Sequence, residues 1–193
     1  MNAQKTIQVV TPPASEPLTL AEVKEFLRVD HSDDDTTLAI FITAARQLCE
    51  SYTRLALMPT TFEEYFDDFP QYTGTYKDEI RLSRSPVSAV TYVKYIDGNE
   101  TTITASASDY KTDLISQPAR ISPDNGWFGT YETINAVFIR YVAGYANAAS
   151  VPAPLKHGML LVIGDMYENR TDSVKRLPTA AEYLWNPYRV FSF

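Results

Sequence analysis

The chain has 193 residues, a mass of 21.7 kDa and a formal charge of −7, with 45% apolar and 21% charged residues. That size and balance fit one globular domain, or one carrying an insertion, and exclude a wholly disordered chain. A single cysteine, Cys49, excludes a disulfide framework and any multi-cysteine metal site, and is in keeping with folding in a reducing cytosol. The longest unbroken apolar stretch, Gly158–Gly164, is far too short to cross a membrane, and the first residues show no apolar run of signal-peptide length. Residues 1–58 carry 5 basic and 8 acidic side chains, residues 59–150 carry 7 and 12, and residues 151–193 carry 5 and 4. No segment has the clustered Lys and Arg needed to displace counterions from nucleic acid, so neither DNA binding nor a membrane partner is expected.

Residues 1–18, with Pro12, Pro13 and Pro17, read as an extended N-terminal arm. Thr19-Leu-Ala-Glu22 has the spacing of a capping box, and Leu20, Val23 and Leu27 form the stripe of a short helix over 20–29. Ser32 or Asp33 caps a second helix over 34–54, whose positive end suits Asp33, Asp34 and Asp35. Leu38, Phe41, Ile42, Ala45, Leu48, Cys49 and Tyr52 fall on one face of it, and Arg46, Gln47, Glu50 and Arg54 on the other.

From Pro59 the pattern changes to short runs rich in Thr, Tyr, Val, Ile and Phe: 60–66, 79–82, 89–96, 101–104, 110–114, 119–121 and 136–142. Asp97-Gly98 marks a hairpin, because both residues tolerate positive φ. So many strands without helices between them predict an antiparallel sandwich or curled sheet over 59–150. Pro152-Ala-Pro154 starts a third helix over 153–169. Its apolar arc is wide enough for two neighbours, one of them from another subunit, which marks Gly158, Met159, Val162, Met166 and Tyr167 as inter-subunit packing residues. The expected class is therefore α+β: a small helical bundle from residues 19–58 and 151–193, with an antiparallel β-rich module of residues 59–150 inserted.

Groups that could carry chemistry are few. His31 lies in an interhelical link, His157 on the polar side of a helix, and Cys49 on an apolar face, each read as structural. Asp30, Asp33, Asp34 and Asp35 fail the EF-hand pattern, since Asp35 and Phe41 stand where Gly and Glu are required. Glu63, Glu64, Asp67 and Asp68 could form a carboxylate pair, but adjacent strand residues point to opposite faces, and a solvated, charged edge is the preferred reading. Trp127 and Phe128 form either a sugar-stacking loop or a hydrophobic plug. No catalytic residue, metal site or cofactor is expected. The closing segment is the most unusual. Trp185, Pro187, Tyr188, Arg189, Val190, Phe191 and Phe193 include the residue types that dominate binding hot spots, and they read either as a docking element or as core.

Six segments in order carry a resemblance: Pro17–Asp30, Ile42–Thr53, Tyr141–Tyr145, Val151–Lys156, Met166–Arg170 and Leu184–Val190. Together they resemble the head–tail connector, or adaptor, proteins of long-tailed bacteriophages and gene transfer agents, in the longer form with a β-rich insertion. The resemblance implies a non-enzymatic virion component at the capsid-vertex neck, assembled in the bacterial cytoplasm. It implies self-association into a ring, typically dodecameric, beneath the portal protein, with a monomeric free form left open. The ring would extend the DNA channel without gripping DNA and receive a downstream stopper or tail-completion protein, and the aromatic tail would be its portal-docking element. A β-rich host- or carbohydrate-binding module of a virion, and a small hydrolase using the carboxylates of residues 63–68, are the competing readings.

Overall fold

A computed structural model describes residues 5–70, 78–169 and 177–191. The protein is α+β and divides into two compact units. The β unit takes residues 5–12 and 59–144, and the helical unit takes Pro13–Met58 with Tyr145–Phe191.

The β unit opens with β1 (Lys5–Thr11), which lies in the segment expected as an extended arm. Ile7 and Val9 alternate with Thr6 and Gln8, a period of two that suits a strand, and Pro12 and Pro13 end it by removing backbone donors. β1 pairs antiparallel with β2 (Thr60–Phe66), Lys5 lying opposite Phe66. β3 (Ile80–Arg81), β4 (Val87–Ile96), β5 (Thr102–Thr104), β6 (Tyr110–Asp113), β7 (Arg120–Pro123) and β8 (Val137–Ala143) follow. The larger sheet has the order β1-β2-β8-β4-β5 and the smaller the order β3-β7-β6. Alternate residues Phe62, Phe66, Val93, Ile139 and Tyr141 are buried, as are Ile80, Leu82 and Ile121 of the smaller sheet or just past it.

β1 occupies the edge, so β2 is an inner strand, and the solvated edge expected at Glu63 and Glu64 is not there: they are 6% and 0% exposed. The β4–β5 turn also differs from expectation. Its positive φ, 59°, falls on Glu100, not on Asp97 or Gly98. The Asp97 carboxylate holds the turn by accepting from the backbone N–H groups of Asn99 and Thr101, each at 2.9 Å.

The helical unit holds α1 (Leu20–Leu27), α2 (Asp35–Thr53), α3 (Ala153–Glu168) and α4 (Thr179–Trp185). The capping box is formed at α1: the Thr19 hydroxyl accepts from Glu22 N at 3.2 Å, and the Glu22 carboxylate accepts from Thr19 N at 2.7 Å. These hydrogen bonds hold Glu22 below the usual carboxylate range. Arg28 and Arg54 take left-handed φ of 57° and 62° and stop α1 and α2. The N-cap of α2 is Asp34, and its carboxylate accepts not from the helix but from Tyr167 O–H at 2.8 Å, tying α2 to α3. Leu38, Ile42, Ala45 and Cys49 of α2 share one buried cluster with Leu155, Met159, Val162 and Ile163 of α3.

Arg46, expected on the solvent face of α2, is 8% exposed. The segment before α1 folds over it, so that its Nε donates to Glu16 at 2.7 Å and a terminal nitrogen to Glu50 at 2.8 Å. Burial opposes its charge, and the two carboxylates outweigh burial and raise its pKa. Glu50 in turn accepts from Leu57 N at 2.9 Å, which fixes the exit from α2.

Candidate docking surface

The tail begins inside the core. Trp185, the last residue of α4, is fully buried and its Nε1 donates to the Leu155 carbonyl at 3.1 Å. Its indole lies 5.9 Å from the Tyr52 ring and over Gly158. The chain does not run extended from Pro187, because residues Asn186–Tyr188 form a 3-10 turn. Proline is welcome in the first turn of a helix, where its missing N–H is not needed. Arg189 is the first extended residue. Val190 is 7% exposed, and its N–H donates to the Thr53 carbonyl at 2.9 Å, stitching the tail to the end of α2.

Two of the proposed docking residues, Trp185 and Val190, thus pack within the core of this chain. Their apolar surface is already spent within the chain. Pro187, Arg189 and Phe191 are exposed and Tyr188 is half-buried, while Phe193 lies outside the described residues. The Arg189 guanidinium sits 5.0 Å from the ring centroids of both Tyr52 and Phe191. A cation between two aromatic faces presents an amphipathic patch with little rotamer freedom left to lose on contact.

The α3 residues expected at a subunit contact also lie against this chain's own core. Met159 and Val162 are fully buried, Met166 is 9% exposed and Gly158 faces Trp185, all within one chain. Tyr167 is half-buried and spends its hydroxyl on Asp34. The wide apolar arc of α3 is explained by α2 on one side and α4 on the other.

Both carboxylates of β2 are engaged by neighbouring donors. Glu63 accepts from the hydroxyls of Tyr92 and of Tyr65, the latter at 2.8 Å, and from Arg140 at 3.2 Å. Burial opposes its charge, yet these three donors hold it below the usual carboxylate range. Tyr92, partly desolvated and donating to that carboxylate, is pushed up to about 12. Glu64, on the opposite face, accepts from Tyr141 O–H and from Ser83 N at 2.6 Å and pairs with Lys5 at 2.7 Å. Asp67 and Asp68 accept from Asn135 N at 3.0 Å and the Thr130 hydroxyl at 2.6 Å, so the four carboxylates do not converge.

Trp127 stacks on Phe69 at 4.5 Å and Phe128 on Tyr95 at 4.6 Å, and Trp127 Nε1 donates to the Asp78 carbonyl. The loop is the hydrophobic plug of the two readings. His157 meets Phe26 edge-on at 6.2 Å, and His31 lies 3.9 Å from Asp33. Burial pushes the Cys49 thiol up. No group of three or more His, Cys, Asp or Glu suited to a metal ion occurs among the described residues.

Comparison with known proteins places this architecture. A solved structure described as the neck of an empty GTA particle computed with C6 symmetry superposes with a TM-score of 0.80 at 22% identity, covering 97% of each chain. The virion of a native gene transfer agent particle gives 0.77 at 22%, and the neck of a native GTA particle computed with C12 symmetry gives 0.73 at 21%, each again over 97% of both chains. No curated protein matches the chain. The family described as phage gp6-like head–tail connector protein matches residues 17–124, more than half of the sequence. The chain belongs to that family, and its role is that of a structural connector.

Proposed function

We propose that this protein is a non-enzymatic component of a virion neck, several copies of which form a ring beneath the portal at the capsid vertex. The observation that carries the reading is the family match, joined to a fold shared along 97% of the chain with proteins of gene transfer agent necks. The necks compared were computed with sixfold and twelvefold symmetry, which supports a ring of that order, closed by head-to-tail contacts. The ring extends the channel through which DNA passes and receives a stopper or tail-completion protein on its far side. A charge of −7 suits such a channel, because phosphate is repelled and slides without specific contacts. Duplex DNA is expected to show no gel shift with the protein at about 0.15 M salt.

The C-terminal tail is the portal-docking element in a reduced form. Trp185 and Val190 anchor it, and Pro187, Tyr188, Arg189 and Phe191, with Phe193 beyond, meet the portal. Repetition around the ring multiplies a weak single contact. The test is complementation. Particles made without this protein should accumulate as filled heads that do not accept tails, and adding the purified protein should restore joining. Normal tailed particles in its absence would refute the reading.

A further inference from the structure

Between α1 and α3 the helical unit carries a groove that the described residues leave open. Phe26 of α1, 39% exposed, lines both of its cavities, of ≈440 and ≈530 Å³. α3 turns corresponding positions to each. Lys156, His157 and Leu160 line the first, and Gly164, Asp165 and Glu168, each eight residues further on, line the second. Eight residues of helix rise ~12 Å. The floor is apolar, with Leu18 and Leu160 in the first cavity and Leu27 and Leu161 in the second.

The rim is acidic. Glu22, Glu25, Asp165 and Glu168 stand there against two cations, Lys156 and Arg28. Lys156 is committed to Glu22 at 2.9 Å. Among the described residues no ion pair engages Glu25, Asp165 or Glu168. An apolar floor inside an acidic rim complements a segment that is apolar on one face and basic at its flanks.

The walls decide the form of that segment. Both are helices whose backbone groups are bonded within themselves, so no strand edge is on offer. An extended segment laid between them would bury its own N–H and C=O groups without partners, whereas a helix arrives with its backbone satisfied. Positions i and i+7 of a helix share one face and lie ~10.5 Å apart, so two anchors reach the two cavities. The segment is not one of this chain's own four helices, because each of them has one more acidic than basic residue.

We propose that the α1–α3 groove is the docking site for a basic amphipathic helix of another protein, with apolar anchors at i and i+7 on either side of Phe26. Its lysines or arginines meet Glu25 beside the first cavity and Asp165 and Glu168 beside the second. The inference uses the helical unit alone and does not depend on the connector reading.

Two synthetic helical peptides of about 18 residues test it by calorimetric titration at low salt. They share one leucine stripe and differ only in carrying lysine or glutamate at the flanks. The lysine peptide is expected to bind about tenfold more tightly. Equal binding, preference for the glutamate peptide, or binding of neither overturns the proposal. Amide shifts on adding the lysine peptide should centre on residues 20–28 and 153–168, and a centre elsewhere overturns it. The double variant Glu25→Lys, Glu168→Lys changes two exposed side chains, so it should keep its melting temperature and reverse the preference. An unchanged preference overturns the proposal. In assembled particles, a photoreactive phenylalanine analogue in place of Phe26 should cross-link to a net-basic helical segment of another protein, and a cross-link to a second copy of this chain instead overturns it. If the protein does not enter particles, the connector reading falls while the peptide titration still decides this one.

Discussion

Two glycines on α3 make one substitution act in opposite directions. Glycine inside a helix ordinarily costs about 0.8–1.0 kcal/mol relative to alanine, so Gly→Ala should stabilise where space allows. At Gly164 it does: the nearest atoms to a new Cβ are Phe26 Cε1 at 3.6 Å and Leu27 Cδ2 at 3.8 Å, ordinary contacts. At Gly158 the same Cβ would stand 2.8 Å from Trp185 Cε2, 2.9 Å from Cδ1 and closer still to Nε1. Carbon atoms prefer about 3.5–4.0 Å, so the indole must retreat and its hydrogen bond to the Leu155 carbonyl is lost. Overpacking costs about 1–3 kcal/mol and a buried unsatisfied polar group about 1–3 kcal/mol, against the gain in helix propensity. The net for Gly158→Ala is a loss of about 2 kcal/mol, or about 4–8 °C in melting temperature for a chain this long. Gly164→Ala should gain about 0.5–1 kcal/mol. Urea denaturation followed by circular dichroism at 222 nm reads both. Trp185→Phe should recover part of the Gly158→Ala loss, a coupling visible in a double-mutant cycle. Equal stabilisation by the two alanine variants would refute the placement of Trp185 and the account of the tail built on it.

Other outcomes follow from the same packing. Truncation after Leu184 removes Trp185 and should destabilise the helical unit by about 3–5 kcal/mol, whereas truncation after Val190 should leave the melting curve unchanged yet reduce capsid joining; calorimetry with a pull-down on portal-bearing capsids separates the two. Arg46→Met strands Glu16 and weakens the hold on Glu50, at a cost of about 2–3 kcal/mol in urea titration, less than for a fully buried pair because Glu16 is partly solvated. The Glu63 carboxyl is held below its ordinary value, so its contribution to stability is present above the unfolded pKa near ~4.3 and lost as pH falls through the lower folded value. Glu63→Gln should flatten the acid limb of the stability–pH curve in that window, measured by fluorescence of Trp127. An unchanged acid limb would show that Glu63 is not held as described.

The helices were legible because their signals are local. A capping box, a 3.6-residue stripe and a proline-marked start need no knowledge of neighbours, and α1, α2 and α3 begin within a residue of where these place them. What escaped depends on partners distant in sequence. Glu63 and Glu64 look like edge charges until residues 5–11 take the edge and place Lys5 beside Glu64. Arg46 looks solvated on a helical wheel until the proline-rich segment brings Glu16 across it. Composition marked the tail as a contact surface, but a buried indole and a docking indole have the same sequence. The available signal was Gly158 in the middle of an apolar helix, which marks a bulky neighbour without saying whose. The sites of Ala181 and Trp185, four apart and both fully buried, mark one face of α4 as core.

As a neck component the protein should take its place at the portal vertex. Purified protein mixed with portal-bearing, tail-less capsids and imaged by electron cryomicroscopy tests it directly. Added annular density is expected beneath the portal, coaxial with the channel, into which the helical units fit with their tails toward the portal. Capsids whose portal vertex is unchanged while the protein stays in solution, or density scattered over the capsid shell, would contradict it.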